Sequence, residues 1–516
     1  MNAGGNGGWG RMRAGAAGVM AILAATMPGG AALSRTPQMP EARTAAYLDR
    51  IADSPPRLRL FLQGMPKGGD LHNHAGGAIY AEDMLRWAAA DGLCLSTDPV
   101  GVAPPPCDVP GRVAAAELIR DYPRYAAFVD GFSTRGQEAG TGDPRVSGYD
   151  RFFSTFAAFW PIAARHGGEV IALTRQQAAA DGVSYAELSA GSAATQPLLA
   201  KLGEGDVRDL AALYDRIAPE LPNAVQVTRA QYDRYEAEMA AIDGCATPAP
   251  KPACATEIRY QYAAIRTRPP EQVFAELALG FALVQADPRF VAVNIVAPEH
   301  DPVALRDYAL HMRMLRFLKE RYPAVPLSLH AGELTLGLVP PRDLAFHIRD
   351  AVEVAGARRI GHGIDISYEG DAKALLARMA RDRVAVEINL TSNAVILGVK
   401  GRDHPLSLYR EAGVPVVLST DDEGVSRSDM TNEYLRGVTE QHLGYRDLKQ
   451  MARDSLHYAF LPGASLWQDR AGGPRVAACR ELASDACRRF TATHAKARLE
   501  ARLERDFDRF ERQSLD

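Results

Sequence analysis

What this chain lacks narrows its chemistry before any motif is read. No G-x-G-x-x-G follows a candidate strand and no G-x-x-x-x-G-K-[ST] occurs, so neither a dinucleotide site nor a P-loop has support. Neither sign of charge dominates: 59 basic and 63 acidic residues give a formal net charge of −4. Such a balance offers no polyanion-binding surface and argues against a nucleic-acid partner. Beyond the N-terminus no segment is apolar for long enough to span a bilayer, which argues against a membrane partner. Cysteine is sparse, with six in all, and none has the close spacing of a zinc knuckle. They fall into three local couples, and this clustering favours the pairings Cys94–Cys107, Cys245–Cys254 and Cys479–Cys487. Bridges of that kind belong to an oxidising compartment.

The N-terminus agrees with export. Arg11 and Arg13 precede a small apolar run from Ala14 to Met27, with no acidic residue among them, and small residues follow. That order reads as a signal peptide over residues 1–32, cleaved after Ala32, which places the protein in the periplasm or outside the cell. The run is too short to remain as a membrane span.

Residues 33–60 read as a leader with a short helix, and residues 61–516 as one domain. There, short β-rich runs alternate with amphipathic helical patterns, the mark of βα units around a parallel sheet. The strand candidates are GDLHNH, VSYAELSA, FVAVNIVAP, VPLSLHAGE, RRIGHGI, VAVEINLTSN and VPVVLSTDD. An α/β fold of the (β/α)8 TIM-barrel type fits their number better than an open sheet, although periodicity alone does not separate the two. Residues 91–148 and 203–265 interrupt the rhythm and read as insertions. The tail from 466 carries the third cysteine couple and a charged helix that packs outside.

Chemistry gathers where those strands end. His72 and His74 stand one residue apart, so alternation in a strand turns both to one face. His330 ends another strand with Glu333 three residues on; His362 lies between two glycines; Asp421 and Asp422 close a further strand. Each has a plain structural reading, a strand-end histidine bonded to backbone or an aspartate capping a helix. Their conjunction at the C-terminal strand ends, where barrels build active sites, points to one site. Imidazole and carboxylate suit zinc, so His72, His74, His330 and Asp421 are the candidate ligands of one Zn2+ with a position left for water. Such a metal lowers the pKa of water toward about 7. Glu333 and His362 are then placed to move protons.

The stretches MPKGGDLHNH, SLHAGE, RIGHG, NLTSN and STDDEG resemble, in order and spacing, the adenosine deaminase family of metal-dependent hydrolases. The leader, the insertions and the MPKGG opening are most similar to its longer secreted branch, the adenosine deaminase-related growth factor type. RFFSTFAAFWP (151–161) resembles that family's helix over the substrate pocket. The resemblance implies zinc on His72, His74, His330 and Asp421, with Glu333 protonating purine N1. It makes His362 the residue that orients and helps deprotonate the attacking water, and Asp422 the partner of purine N7. The implied reaction converts adenosine, and 2′-deoxyadenosine with it, to inosine-type product and ammonia. A homodimer, built through the N-terminal region and first insertion, is implied by the same analogy.

Three positions depart from the pattern. Gly76 stands where cytosolic members hold the ribose 5′-hydroxyl with an aspartate, Ala297 where a glycine N–H meets purine N3, and Glu423 where proline is commoner. These leave open another 6-aminopurine substrate, adenine or a 5′-modified adenosine. A barrel kept only as a secreted binding protein is a further alternative, against which the intact set of ligands speaks. VSYAELSA and FVAVNIVAP lack the lysine that bridges dinuclear relatives, and the H-x-E and P-C-x-x-C pair of cytidine-deaminase sites is absent. N-terminal sequencing of the exported protein is expected to begin at Leu33; a chain recovered outside the cytoplasm with residues 1–32 intact would contradict the cleavage reading.

Overall fold

Eight short parallel strands surround one axis in the computed structural model, which describes residues 39–202 and 207–513. The export signal expected over 1–32 lies outside the described residues. The strands are β1 (Gly68–His74), β2 (Val183–Ala190), β3 (Glu257–Ile265), β4 (Phe290–Val296), β5 (Ser328–Ala331), β6 (Arg359–His362), β7 (Ala385–Ile388) and β8 (Val416–Leu418). β1 to β4 pair in sequence order, and so do β5 to β8. Single bridges, Val293 to Leu327 and Asn73 to Asp421, join the two halves into the closed TIM barrel expected from the strand pattern.

Helices separate the strands and begin where their sequences dictate. Asp301 caps Pro302–Arg321 by accepting from the Val303 N–H, and a proline follows it at the first helical position. Asp371 caps Ala372–Asp382 in the same way. The apolar faces of these helices bury the outward side of the strands, which is why FVAVNIV is apolar at every position but Asn294.

One expected boundary needs correcting. The second insertion does not reach 265, because residues 257–265 are β3, paired with β2 and β4. Glu257, Arg259 and Gln261 break its apolar run and disguise it. Gln261 is a barrel-interior residue whose amide donates to Leu71 O and to Glu187 Oε2 (2.8 and 3.0 Å). Its polarity is therefore satisfied inside the barrel rather than in solvent.

Residues 94–114 within the first insertion form a three-stranded antiparallel sheet, tied by Cys94–Cys107. The other bridges are Cys245–Cys254 and Cys479–Cys487, as the local couples predict. The insertion and helix Gly148–Ala163 share a hydrophobic cluster with Ile79 and Val425, which follow β1 and β8. Thr134 N–H donates to Val425 O at 2.8 Å, fixing the insertion over that end of the barrel. At the opposite end, the charged C-terminal helix Ala495–Arg512 buries Leu503, Phe507 and Phe510, with Phe510 5.1 Å from the Phe61 ring. No helix among the described residues is long and apolar enough to cross a membrane.

The barrel interior carries a ladder of buried charge. The Arg359 guanidinium bonds Glu187 and also Glu387 Oε1 (2.6 Å), which in turn accepts from Ser328 Oγ at 2.7 Å. All three charged side chains are fully buried. Removing the cation from such a trio strands two carboxylates in low dielectric, a cost of about 3–5 kcal/mol. Arg359→Met is accordingly expected to lower stability by about that amount in denaturant titration; an unchanged midpoint would show that the ladder is not structural.

Candidate active site

The candidate residues arise from four strand ends. β1 delivers His72 and His74, the end of β5 His330 and then Glu333, β6 His362, and the segment after β8 Asp421 and Asp422. His74 Nε2 lies 3.1 Å from His330 Nε2 and 3.3 Å from Asp421 Oδ1, and His72 Nε2 lies 3.4 Å from the same oxygen. Four ligands at about 2.0–2.1 Å from a tetrahedral ion stand about 3.3–3.4 Å apart, so these separations fit one metal. His72 Nε2 is buried without a hydrogen-bond partner among the described residues, which suits an atom reserved for coordination.

Hydrogen bonds behind the rings decide which nitrogen faces inward. His72 Nδ1 meets Glu387 Oε2 at 2.9 Å. Asn294 Oδ1 accepts from the backbone N–H groups of Ile295 and His330, so it is an oxygen, and His330 Nδ1 donates to it at 3.0 Å. Both rings therefore carry hydrogen on Nδ1 and present the Nε2 lone pair. Ser392 Oγ donates to Asp421 Oδ2 at 2.5 Å, holding the carboxylate in place.

Glu333 and His362, the residues expected to move protons, stand one step further out. His362 Nε2 is 3.8 Å from Glu333 Oε1 and 3.9 Å from Asp421 Oδ2. Clustering of donor atoms alone would admit two sets, His72 with His330, His362 and Asp421, or His74 with Asp421 and Asp422. Burial, followed by repulsion from Asp421 and Glu299, pushes the Glu333 carboxyl well above the usual range. Burial and the adjacent Asp421 do the same to Asp422. Burial opposes ionisation of Asp421 itself, but the imidazoles around it, His72 foremost, hold it low.

Backbone strain marks the same places. His362, Asp421 and Ala297 have φ of 68°, 59° and 82°, the left-handed region that side chains rarely adopt. Ala297 follows β4, between Asn294, which holds His330, and Glu299, whose carboxylate accepts from the Gly332 and Glu333 N–H groups. Gly77 is required sterically, since a Cβ there would fall 1.6 Å from Asp422 Oδ1. A Cβ on Gly76 would come within 2.9 Å of the Trp160 ring. Glu423 opens the short helix Glu423–Ser426, its carboxyl pushed up by burial and by Asp70 and Asp181.

The sequence reading missed Glu387, Asn294, Ser392, Asn393 and Glu299. A signal existed for two of them, since Glu387 in VAVEINL and Asn294 in FVAVNIV are lone polar residues in apolar strands. Such residues are buried only when paired.

Residues 228–466 match a family model described as adenosine deaminase. An adenosine deaminase of Enterococcus faecalis is 35% identical over 139 residues, covering 27% of this chain and 38% of the relative. Another, from Plasmodium gallinaceum, is 32% identical over 162 residues, covering 30% and 42%. The chain thus spans about two fifths of the length of these curated relatives. Among solved structures, a zinc-bound cog1816 amidohydrolase from Burkhoderia ambifaria covers 88% of this chain and 95% of its own at 16% identity and a TM-score of 0.51. An N6-methyl-AMP deaminase from Arabidopsis thaliana covers 78% and 94% at 17% identity and a TM-score of 0.50. These two share the fold.

Metal analysis of the purified protein is expected to find a bound first-row divalent cation. His330→Ala or Asp421→Ala is expected to lose it with circular dichroism unchanged; retention of the full metal content in both variants would refute this ligand set.

Proposed function

We propose that this chain, whose residues 228–466 match the adenosine deaminase family model, is an exported hydrolase that uses one Zn2+ to convert adenosine or 2′-deoxyadenosine to inosine-type product and ammonia. The observation that carries the reading is the meeting of His72, His74, His330 and Asp421 at ligand spacing, with Glu333 and His362 at their edge. Zinc held by those four would lower the pKa of a water toward about 7.

The chain's own groups supply the rest. Purine N1 and N7 are acceptors, so each needs a donor. The raised Glu333 carboxyl carries a proton to offer N1, which draws electrons from C6. Asp422, likewise held neutral, can donate to N7, and Gly77 leaves room for its carboxyl. His362 faces the space between Glu333 and Asp421 and holds the attacking oxygen over C6. The water oxygen bonds to C6, one of its protons passes to the amino nitrogen, and the C6–N bond breaks to release ammonia while the other returns to the Glu333 carboxylate as the C6 carbonyl forms. Three disulfides support an oxidising compartment.

A second reading concerns the 5′ end of the substrate. Gly76 offers no carboxylate, and the half-exposed Trp160 ring lies against it. That arrangement favours a 5′-modified adenosine, for which stacking replaces a hydrogen bond.

Ultraviolet spectra of adenosine with the mature holoprotein test the main reading. Conversion to inosine is expected, with kcat falling about 10²–10⁴-fold in Glu333→Gln at unchanged metal content. Intact adenosine in the presence of the metal-loaded protein would reject adenosine as substrate.

A further inference from the structure

His362 is oriented differently from His72 and His330, and the cause lies in a chain of hydrogen bonds leading away from it. The chain begins at a group whose polarity is not negotiable: the backbone N–H of Leu406 donates to His404 Nδ1 at 3.1 Å. His404 is 2% exposed, and burial pushes its pKa down to about 3, so the ring is neutral with its single hydrogen on Nε2. That nitrogen lies 3.2 Å from Asn393 Oδ1. With its oxygen accepting there, Asn393 turns its amide nitrogen to His362 Nδ1 at 3.0 Å. An amide nitrogen only donates, so His362 Nδ1 accepts. Asn389 Nδ2, at 3.4 Å, points at the same atom. The hydrogen of His362 is left on Nε2, which has no hydrogen-bond partner among the described residues and faces Glu333 and Asp421.

We infer that His404 and Asn393 are positioning residues that fix His362 as the Nε2–H tautomer, making it a hydrogen-bond donor to the attacking oxygen and barring it from the metal. Coordination needs a bare Nε2 lone pair, which the partners of His72 and His330 provide and the partners of His362 deny. The two admissible ligand clusters are thereby separated by hydrogen-bond polarity, in favour of His74. A ring already protonated on Nε2 cannot take the water's proton either. His362 instead stabilises negative charge as it builds on the oxygen, which revises the deprotonating part of the role implied by resemblance. The catalytic consequence rests on the proposed deamination; the tautomer itself does not.

Neutron diffraction from deuterium-exchanged crystals of the holoprotein reads the tautomer without turnover. Deuterium is expected on Nε2 of His404 and His362, and on Nδ1 of His72 and His330. Deuterium on His362 Nδ1, or metal density bonded to His362, overturns the inference whatever the substrate proves to be. In Asn393→Asp the carboxylate can only accept, which turns His362 to its Nδ1–H form. There kcat is expected to fall about 10²-fold or more with KM and metal content unchanged, since a reversed tautomer alone can cost up to about 10⁴. His404→Gln, whose amide can still donate to Asn393, is expected to recover most of the rate lost in His404→Leu. Wild-type kcat in a folded Asn393→Asp protein would overturn the catalytic consequence, and the absence of any deamination by the wild type would sink the functional reading while leaving the tautomer decided by the neutron map.

Discussion

The site depends on the carboxylate of Glu387, which stands between a guanidinium below and an imidazole above. Arg359 holds one oxygen at 2.6 Å, and His72 Nδ1 meets the other at 2.9 Å. Burial would raise its pKa, yet Arg359 and the bond with His72 keep it low, so it remains an ionised acceptor in the barrel interior. With Glu187 below, two carboxylates share one guanidinium, and the residual negative charge faces the ring that presents its Nε2 upward. Buried charges of this kind are tolerated only when paired and bonded. Here the imbalance is useful, because it favours a cation above His72.

Polarity in this barrel is handed on from backbone donors that cannot reverse. The N–H groups of Ile295 and His330 make Asn294 Oδ1 an acceptor, and so give His330 its inward lone pair. The N–H of Leu406 acts through His404 and Asn393 with the opposite result at His362. Two histidines of similar burial thus acquire opposite roles from partners outside the site. The left-handed backbone at His362, Asp421 and Ala297 belongs to the same construction, since strained residues persist where surrounding bonds over-determine them.

Several elements were legible because their information is local. Alternation put His72 and His74 on one face, and the Cys245–Cys254 pairing followed from nearness in the chain. β3 was hidden because Gln261 answers to Leu71 and Glu187, partners 190 and 74 residues away. Glu387 was missed for the same reason, its bond to His72 spanning 315 residues. A lone acid in an apolar strand signals a buried partner without saying which.

The sequence by itself determined which residue types end the strands, and so the chemistry available: imidazoles, carboxyls and glycines where polar groups converge. Tertiary structure decided which nitrogen of each ring faces the centre, which carboxyl is held neutral, and why Gly77 must lack a side chain beside Asp422. Residue type is written locally, whereas proton position and pKa depend on neighbours brought together only when the barrel closes through Asn73–Asp421 and Val293–Leu327.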